Sequence, residues 1–418
     1  MGSENSLFPL SGRAKRILLI AASLAFFGSG SAHAASTTWT GSGGNGLWLT
    51  PTNWSSNTPS DIGVFGSSGG GTVTVNGGVQ LNALTFTEDA AAFTIAANVN
   101  QYIILNLNAG SIQTTGSGAN SQTFTSPLAL RGSNTITSDY TDASKTLTLG
   151  NLFGNYNGAN TLTLNGSNKG ANNVAGGIYK GAGSGSISVV KDGTGTWILS
   201  GTNAYDGTTQ VKNGALMVTG THTGGGAYTV DGGVLGGAGG KISASGVTIT
   251  AAAGSGINVS GAGLGTTGSQ NALTGPGILE LDLGVGTLDI SNAGANSLTF
   301  VLATPELSDQ VKLSSGTLNI GSGTVDLSTF NFDITNWSGN GIYTLFSTSS
   351  ANGIVGSLGS NLTGILNGHN VSLLVGEDTS GFQTLQLVVV PEPSTLGAIG
   401  VGLLVLAGAG LHRRRILG

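Results

Sequence analysis

Few residues in this chain could do chemistry, and their spacing limits what that chemistry could be. Cleaving a glycan needs paired carboxylates, or carboxylates holding a cation beside an arginine or lysine base. Glu280 and Asp282 stand two apart, so on a strand both side chains point to one face, and Asp289 follows within the same stretch. Such a face could hold calcium weakly; the reading preferred over it is the polar outer side of an amphipathic strand. Glu88-Asp89 and Glu377-Asp378 are adjacent pairs in turn-like surroundings without the spacing of a metal loop. His222 and His369, in Thr221-His222-Thr223-Gly224 and Gly368-His369-Asn370, are expected to be solvated loop residues. No catalytic residue, metal ligand or cofactor is assigned, and the chain is expected not to be an enzyme.

Trp39, Trp48 and Trp54, three of the 5 tryptophans, offer a different chemistry. A stacked core exposes an apolar terminal rung unless something covers it, so these three most simply shield that end; the rival reading makes them candidate glycan contacts, since flat aromatic faces stack on sugar rings. Gly41 to Gly46 satisfies a dinucleotide-binding pattern, but with 74 Gly in the chain such matches arise by chance, and no strand-helix context surrounds this one. Gly224 to Asp231 lacks the Asp spacing of a calcium-binding nonapeptide repeat.

The elements that would position these residues follow from composition. The chain has 418 residues, no Cys, 8 Pro, and only 8% charged residues, against about 25% charged in an ordinary domain. With 39% hydrophobic residues and a mean hydropathy of +0.20, it needs a core and is not a disordered linker. Absence of cysteine removes disulfides, thiol nucleophiles and Cys-containing metal sites together. Arg13, Lys15, Arg16 and Glu4 lie near one end and Arg413, Arg414, Arg415 and Glu392 near the other. The body between holds 8 basic and 17 acidic residues, Arg131 being its only arginine. An acidic body of this kind excludes nucleic acid as an expected partner.

Each end carries its own signal. Arg13-Ala14-Lys15-Arg16 precedes the apolar run Ile17 to Phe27 and then Ala32-His33-Ala34, the pattern of a secretory signal peptide cleaved after Ala34, and so of a chain handed to a secretion translocon. At the far end Pro391-Glu392-Pro393 leads into an apolar stretch over 395–411, about 17 residues and at the lower limit for crossing a bilayer, then into Arg413, Arg414 and Arg415. The arginines would hold that end on the cytoplasmic side, with the body outside. Neither proline can continue the strand before it or sit inside a helix after it, so the motif marks an exposed hinge.

Those three parts, in that order, resemble the PEP-CTERM sorting signal of exosortase substrates. The resemblance implies a Gram-negative bacterium, recognition by a membrane-embedded exosortase-type protease or transpeptidase, and processing near Pro391 to Pro393. It further implies transient anchoring in the inner membrane before delivery to the cell surface or an exopolysaccharide matrix.

Between the ends, short alternating segments recur: 72–75, 93–95, 146–149, 161–164, 247–249, 279–283, 287–290, 317–320 and 324–327. Each puts apolar side chains on one face and Thr, Asn or Asp on the other, the period-two signature of a half-buried strand. Gly, Asn and Ser fill the gaps, where tight turns and close backbone approach are needed. Many short strands suit a β-sandwich or a β-helix, and the approximate repetition favours the second.

The clearest unit runs over 191–216. Lys191, Gly193, Gly195, Leu199, Gly201, Asn203, Tyr205, Gly207, Thr209, Val211, Gly214 and Leu216 closely resemble the autotransporter-associated β-strand repeat. That resemblance implies the right-handed parallel β-helix of secreted passenger domains. An autotransporter ends in a membrane β-barrel; this sequence ends in one apolar segment, so export is expected to use other machinery.

The expected organisation is a signal peptide (1–34), a Trp-rich cap with the first rungs (35–110), a β-helix (111–305), a terminal strand module (306–389) and the sorting signal (390–415). The expected role is a non-enzymatic exported scaffold or adhesin of the surface or extracellular matrix. The alternatives are a carbohydrate-binding module and a weak glycan-active β-helix enzyme.

Overall fold

A computed structural model describes residues 35–390 except 107–109, 119, 156, 182–184, 250–254 and 262–275. The signal segment with Ala32 and Ala34, and the tail with Pro391, Glu392, Pro393, the 395–411 stretch and Arg413 to Arg415, lie outside the described residues. Among the described residues there is no α-helix; two 3-10 turns, Pro51–Asn53 and Leu327–Thr329, interrupt an otherwise all-strand chain.

The alternation read from sequence becomes alternation of burial. In Asn160–Asn165, for example, Asn160, Leu162 and Leu164 are buried and the residues between them are not. With only one face to bury, each short strand finds its neighbours above and below, and the pairing is parallel.

Three sheets result, and the chain visits them in turn. The first begins with Ser36–Trp39, Ile62–Phe65 and Ala83–Phe86 and continues through Asn160–Asn165, Ile187–Lys191, Thr209–Val211, Tyr228–Val230 and Val247–Ile249. The second runs from Gly71–Val75 to Phe330–Asp333. The third runs from Val79–Leu81 through Ile103–Leu105, Leu128–Leu130 and Leu152–Gly154 to Ile178–Tyr179. A bridge from Tyr179 to Ala204 continues it into Thr202–Asn203, Thr221–Gly225 and Lys241–Ala244. Each coil contributes a strand to each sheet in register with the coil before, which is the arrangement of a β-helix and not of an antiparallel sandwich. Around the repeat, Val189, Thr209, Tyr228 and Val247 stack directly, a period of about twenty residues per coil.

Two long strands, Ile278–Asp289 and Gln310–Ser322, take the corner from the third sheet to the first in one piece. The pairs 279–283 with 287–290, expected as separate strands, are thus one element bent at Gly284, whose φ is +59°. The expected strand 324–327 does not form: Asp326 caps the 3-10 turn after it, its carboxylate accepting from the Ser328 amide, although Val325 stays buried.

The two ends of the stack differ. At the start, Trp48 donates its backbone N–H to Thr74, the 51–55 segment pairs back onto 38–41, and Trp39, Trp48, Trp54 and Phe65 pack ring against ring with centroids 4.9 to 6.0 Å apart. At the other end the pairing turns antiparallel. Gln383–Val390 lies between Gly341–Ser347 and His369–Glu377, and Thr363–Leu366 pairs with the latter.

At the corners, backbone lies on backbone. A Cβ on Gly201 would sit 2.0 Å from the carbonyl oxygen of Gly176, and one on Gly220 would sit 2.1 Å from that of Gly201. Gly201→Ala is therefore expected to destabilise the fold by about 3 kcal/mol through overpacking. Gly78→Ala, with open space at its Cβ, serves as the near-neutral control. Chemical unfolding of the two variants side by side checks this.

Candidate functional site

The repeat at 191–216 contains the densest polar chemistry inside the stack. In the first sheet, Ile112, Ile136, Leu164, Lys191, Val211, Val230 and Ile249 form one inward column, and Lys191 is its only charged member. Its side chain is fully buried. Its Nζ donates to the carbonyls of Asp192 at 2.7 Å, Gly193 at 2.8 Å and Asn213 at 3.0 Å, using all three ammonium protons. Burial pulls the Lys191 pKa down to about 8, and nearby Asp192 opposes that. Gly214, at φ +62°, leaves the ammonium its space: a Cβ there would lie 2.8 Å from Nζ.

One coil further, Tyr205, Thr209, His222 and Tyr228 form a closed polar cluster, all fully buried or nearly so. Tyr205 Oη is 2.7 Å from Thr209 Oγ1 and 3.2 Å from Tyr228 Oη, and Tyr228 Oη is 2.8 Å from His222 Nδ1. His222 Nε2 lies 2.8 Å from the Tyr205 carbonyl, which can only accept, so Nε2 carries the proton and Nδ1 accepts from Tyr228. The imidazole also stacks on Tyr205 with centroids 4.0 Å apart. Burial lowers the His222 pKa, partly offset by the bond to Tyr205, and raises that of Tyr205 to about 12. Expecting His222 in a solvated loop was wrong: the turn-like surroundings belong to a strand, and the ring points inward from it.

Asn203 caps the corner between these groups, its Oδ1 accepting from the Ile178 amide and its Nδ2 donating to the Thr221 and Gly201 carbonyls. Of the polar positions that carried the repeat resemblance, Lys191 and Asn203 thus bond backbone groups of their own and neighbouring coils, and Tyr205 and Thr209 bond each other, with Tyr205 reaching Tyr228 on the next coil. None of them points out of the stack toward a ligand.

The other candidate residues are scattered. Trp39, Trp48 and Trp54 are 1%, 0% and 4% exposed, so no ring face is free to stack on a sugar; their reading as glycan contacts is corrected by the ring-on-ring packing that buries them. Glu280 and Asp282 do share a face, but the Lys241 ammonium occupies it, 2.9 Å from Glu280 and 3.6 Å from Asp282. Its hydrogen bond lowers the Glu280 pKa, and Ser315 does the same for Asp282. Asp289 lies on the first sheet, paired with Thr248 and Asn319, away from both. His369 is half-buried with its ring edge-on to Trp337. Among the described residues no group of three or more His, Asp or Glu could hold a metal ion. No helix there is long and apolar enough to cross a membrane.

Three features were not foreseen. Asp309 is fully buried and accepts from Ser260 Oγ, the Gly277 amide and the Val301 amide, each at 2.9 Å, tying the two sides of a long connection to the second sheet. Burial raises its pKa against those three donors. A groove of about 380 Å³ lies between Leu327–Asp333 and Thr363–Leu366, and none of its lining residues is titratable.

The third is an outward row on the third sheet, where Ile104, Ala129, Phe153 and Tyr179 stand in register on successive coils. Tyr102 meets Phe153 edge-to-face at 5.2 Å, across the small Ala129. These aromatics are far apart in sequence and in no shared motif; only the register brings them together.

Two family models match the chain: the passenger-associated-transport-repeat over residues 189–218 and the PEP-CTERM protein-sorting motif over residues 389–415. A relative, the adhesin BmaC autotransporter of Brucella suis biovar 1 (strain 1330), is 40% identical over 62 residues, covering 15% of this chain and 2% of its own length.

Lys191→Met keeps the stem but leaves three carbonyls facing a methyl group, and is expected to cost about 3 kcal/mol in chemical unfolding. His222 is held neutral when folded and takes a proton more readily when unfolded. Stability should therefore fall as pH drops below about 6.5, and His222→Gln should remove that part of the slope. Unfolding midpoints measured between about pH 5 and 8 test both the sign and the variant. The chain is an exported surface protein that carries an autotransporter-type passenger repeat and a PEP-CTERM sorting signal.

Proposed function

We propose that this protein is a non-enzymatic scaffold or adhesive element of the bacterial surface or extracellular matrix, built as a right-handed β-helix and delivered by an exosortase-type system. The observation that carries this reading is the pairing of a sorting motif at 389–415 with a passenger repeat at 189–218 in one chain. A secretion translocon would take the chain by its leader and remove it after Ala34. The 395–411 segment would then hold the chain in the inner membrane, with Arg413, Arg414 and Arg415 inside, until processing near Pro391, Glu392 and Pro393 releases the body to the surface or to an exopolysaccharide matrix.

The interior supports a structural role. Its buried polar groups, Lys191, Asn203, Tyr205 and His222, bond to the neighbouring coils. Right-handed winding is the hand that parallel strand connections take in about 98% of cases. The relative from Brucella is called an adhesin, and its matched segment agrees with an adhesive role here.

The test is fractionation of a tagged chain before and after replacing Pro391-Glu392-Pro393 with Ala-Ala-Ala. Surface display of the parent and inner-membrane retention of the variant are expected. Equal surface display of both would reduce the tail to a plain anchor.

A further inference from the structure

We propose that the end of the antiparallel sheet where Val390 leaves the body, with Ile342 and Ile365 on its outer face, rests in the interface of a phospholipid bilayer while the sorting tail is inserted. The proposal depends on that insertion, and the length of the connecting chain argues for the occupant. Only residues 391–394 separate Val390 from the apolar 395–411 segment, and the path from Val390 to Thr395 reaches at most about 17 Å when fully extended. Any apolar surface at this end of the sheet is therefore held beside the headgroups, where a tether that short makes even weak apolar contact count.

Register places two such side chains there. Ile342 pairs with Val388, Val388 with Ser372 and Ser372 with Thr363, one row across four strands. Ile365, two residues from Thr363, faces the same way and is joined through Asn370 to Val390. Ile365 is 75% and Ile342 52% exposed, while Tyr343, Val371, Leu373 and Leu387 fill the inner face of the same strands. The sheet thus has its core without them.

Charge is polarised along these strands. Residues 341–390 contain no Lys or Arg and only two carboxylates, Glu377 and Asp378. Glu377 pairs with Gln383, the first residue of the strand that ends at Val390, so the carboxylates lie about 24 Å from the exit of the chain. An acidic body would then meet lipid with an uncharged end. No charged residue lines the groove that Ile365 borders. Trp337, its ring edge-on to His369 at the same end, is of the type favoured at membrane-water interfaces.

The chain has no Cys, so one introduced thiol can carry a polarity-sensitive fluorophore without background. The exported chain with its tail, labelled at Ile365→Cys, Val99→Cys or Leu404→Cys, is reconstituted into phosphatidylcholine vesicles that contain lipid with a doxyl quencher near the headgroups. The label at Ile365 is expected to shift to the blue and to be quenched by the lipid; that at Val99, 87% exposed in the first coils, is expected to do neither. A label at Thr363→Cys should lose most of its quenching when Ile342→Asp and Ile365→Asp are added, with an unchanged circular dichroism spectrum. A quenched label at Leu404 with an unquenched one at Ile365 overturns the proposal alone, whereas no quenching at Leu404 overturns the insertion on which it depends and the proposal with it. Equal quenching at Val99 and Ile365 also overturns it. So does an Ile365 label that is blind to the lipid quencher and shielded only at high chain density, which would assign this face to a second copy.

Discussion

In-register parallel stacking is the constraint from which the rest of this molecule follows. Once each coil must lie directly on the last, whatever occupies a position in one coil dictates what fits in the next. At the corners the coils touch through their main chains, which is why Gly176, Gly201 and Gly220 recur at equivalent places and why glycine is so abundant. On the flat faces the same rule builds columns, aliphatic inside and Thr, Asn or aromatic outside. Charge is scarce because a charged column would place like charges about 4.8 Å apart on successive coils. Where ion pairs occur among the described residues they join one coil to the next, as with Lys241 beside Glu280 and Asp282 and Lys180 beside Asp206.

Buried polar groups obey the same constraint. Lys191 stands in an aliphatic column and is tolerated because the turn around Asp192, Gly193 and Asn213 folds its carbonyls over the ammonium. The Tyr205, Tyr228 and His222 cluster does for side chains what Asn203 does for the backbone: it ties one coil to the next with directional bonds. Such bonds add little net stability each, but a buried donor left unmet is costly, so together they penalise any slip in register. An apolar column alone would not, since one aliphatic side chain stacks on another with little preference.

Much of this was legible in the sequence, and the part that was not has a physical reason. Period-two alternation located several strands, among them Thr161–Leu164 and Val247–Ile249, because burial of one face is a local property. The repeat around Lys191 to Leu216 was legible because its polar positions are set by contacts within about one coil. Two things were hidden. Direction of a side chain in a turn-like segment cannot be read from its neighbours, so His222, placed in solvent, proved to be interior, whereas Trp39, Trp48 and Trp54 are buried as the end-shielding reading requires and not as glycan contacts. Alignment between coils is likewise invisible when coil length varies, so Tyr102, Phe153 and Tyr179, with Asp309 and its three donors, emerged only once the register was known.

The antiparallel end of the stack also has a mechanical meaning. Gln383–Val390 is held on both sides, by Gly341–Ser347 and by His369–Glu377, up to the residue before Pro391. Tension transmitted from the sorting segment would therefore enter along the axis of a central strand and load two ladders of hydrogen bonds in shear, all at once, instead of peeling an edge bond by bond.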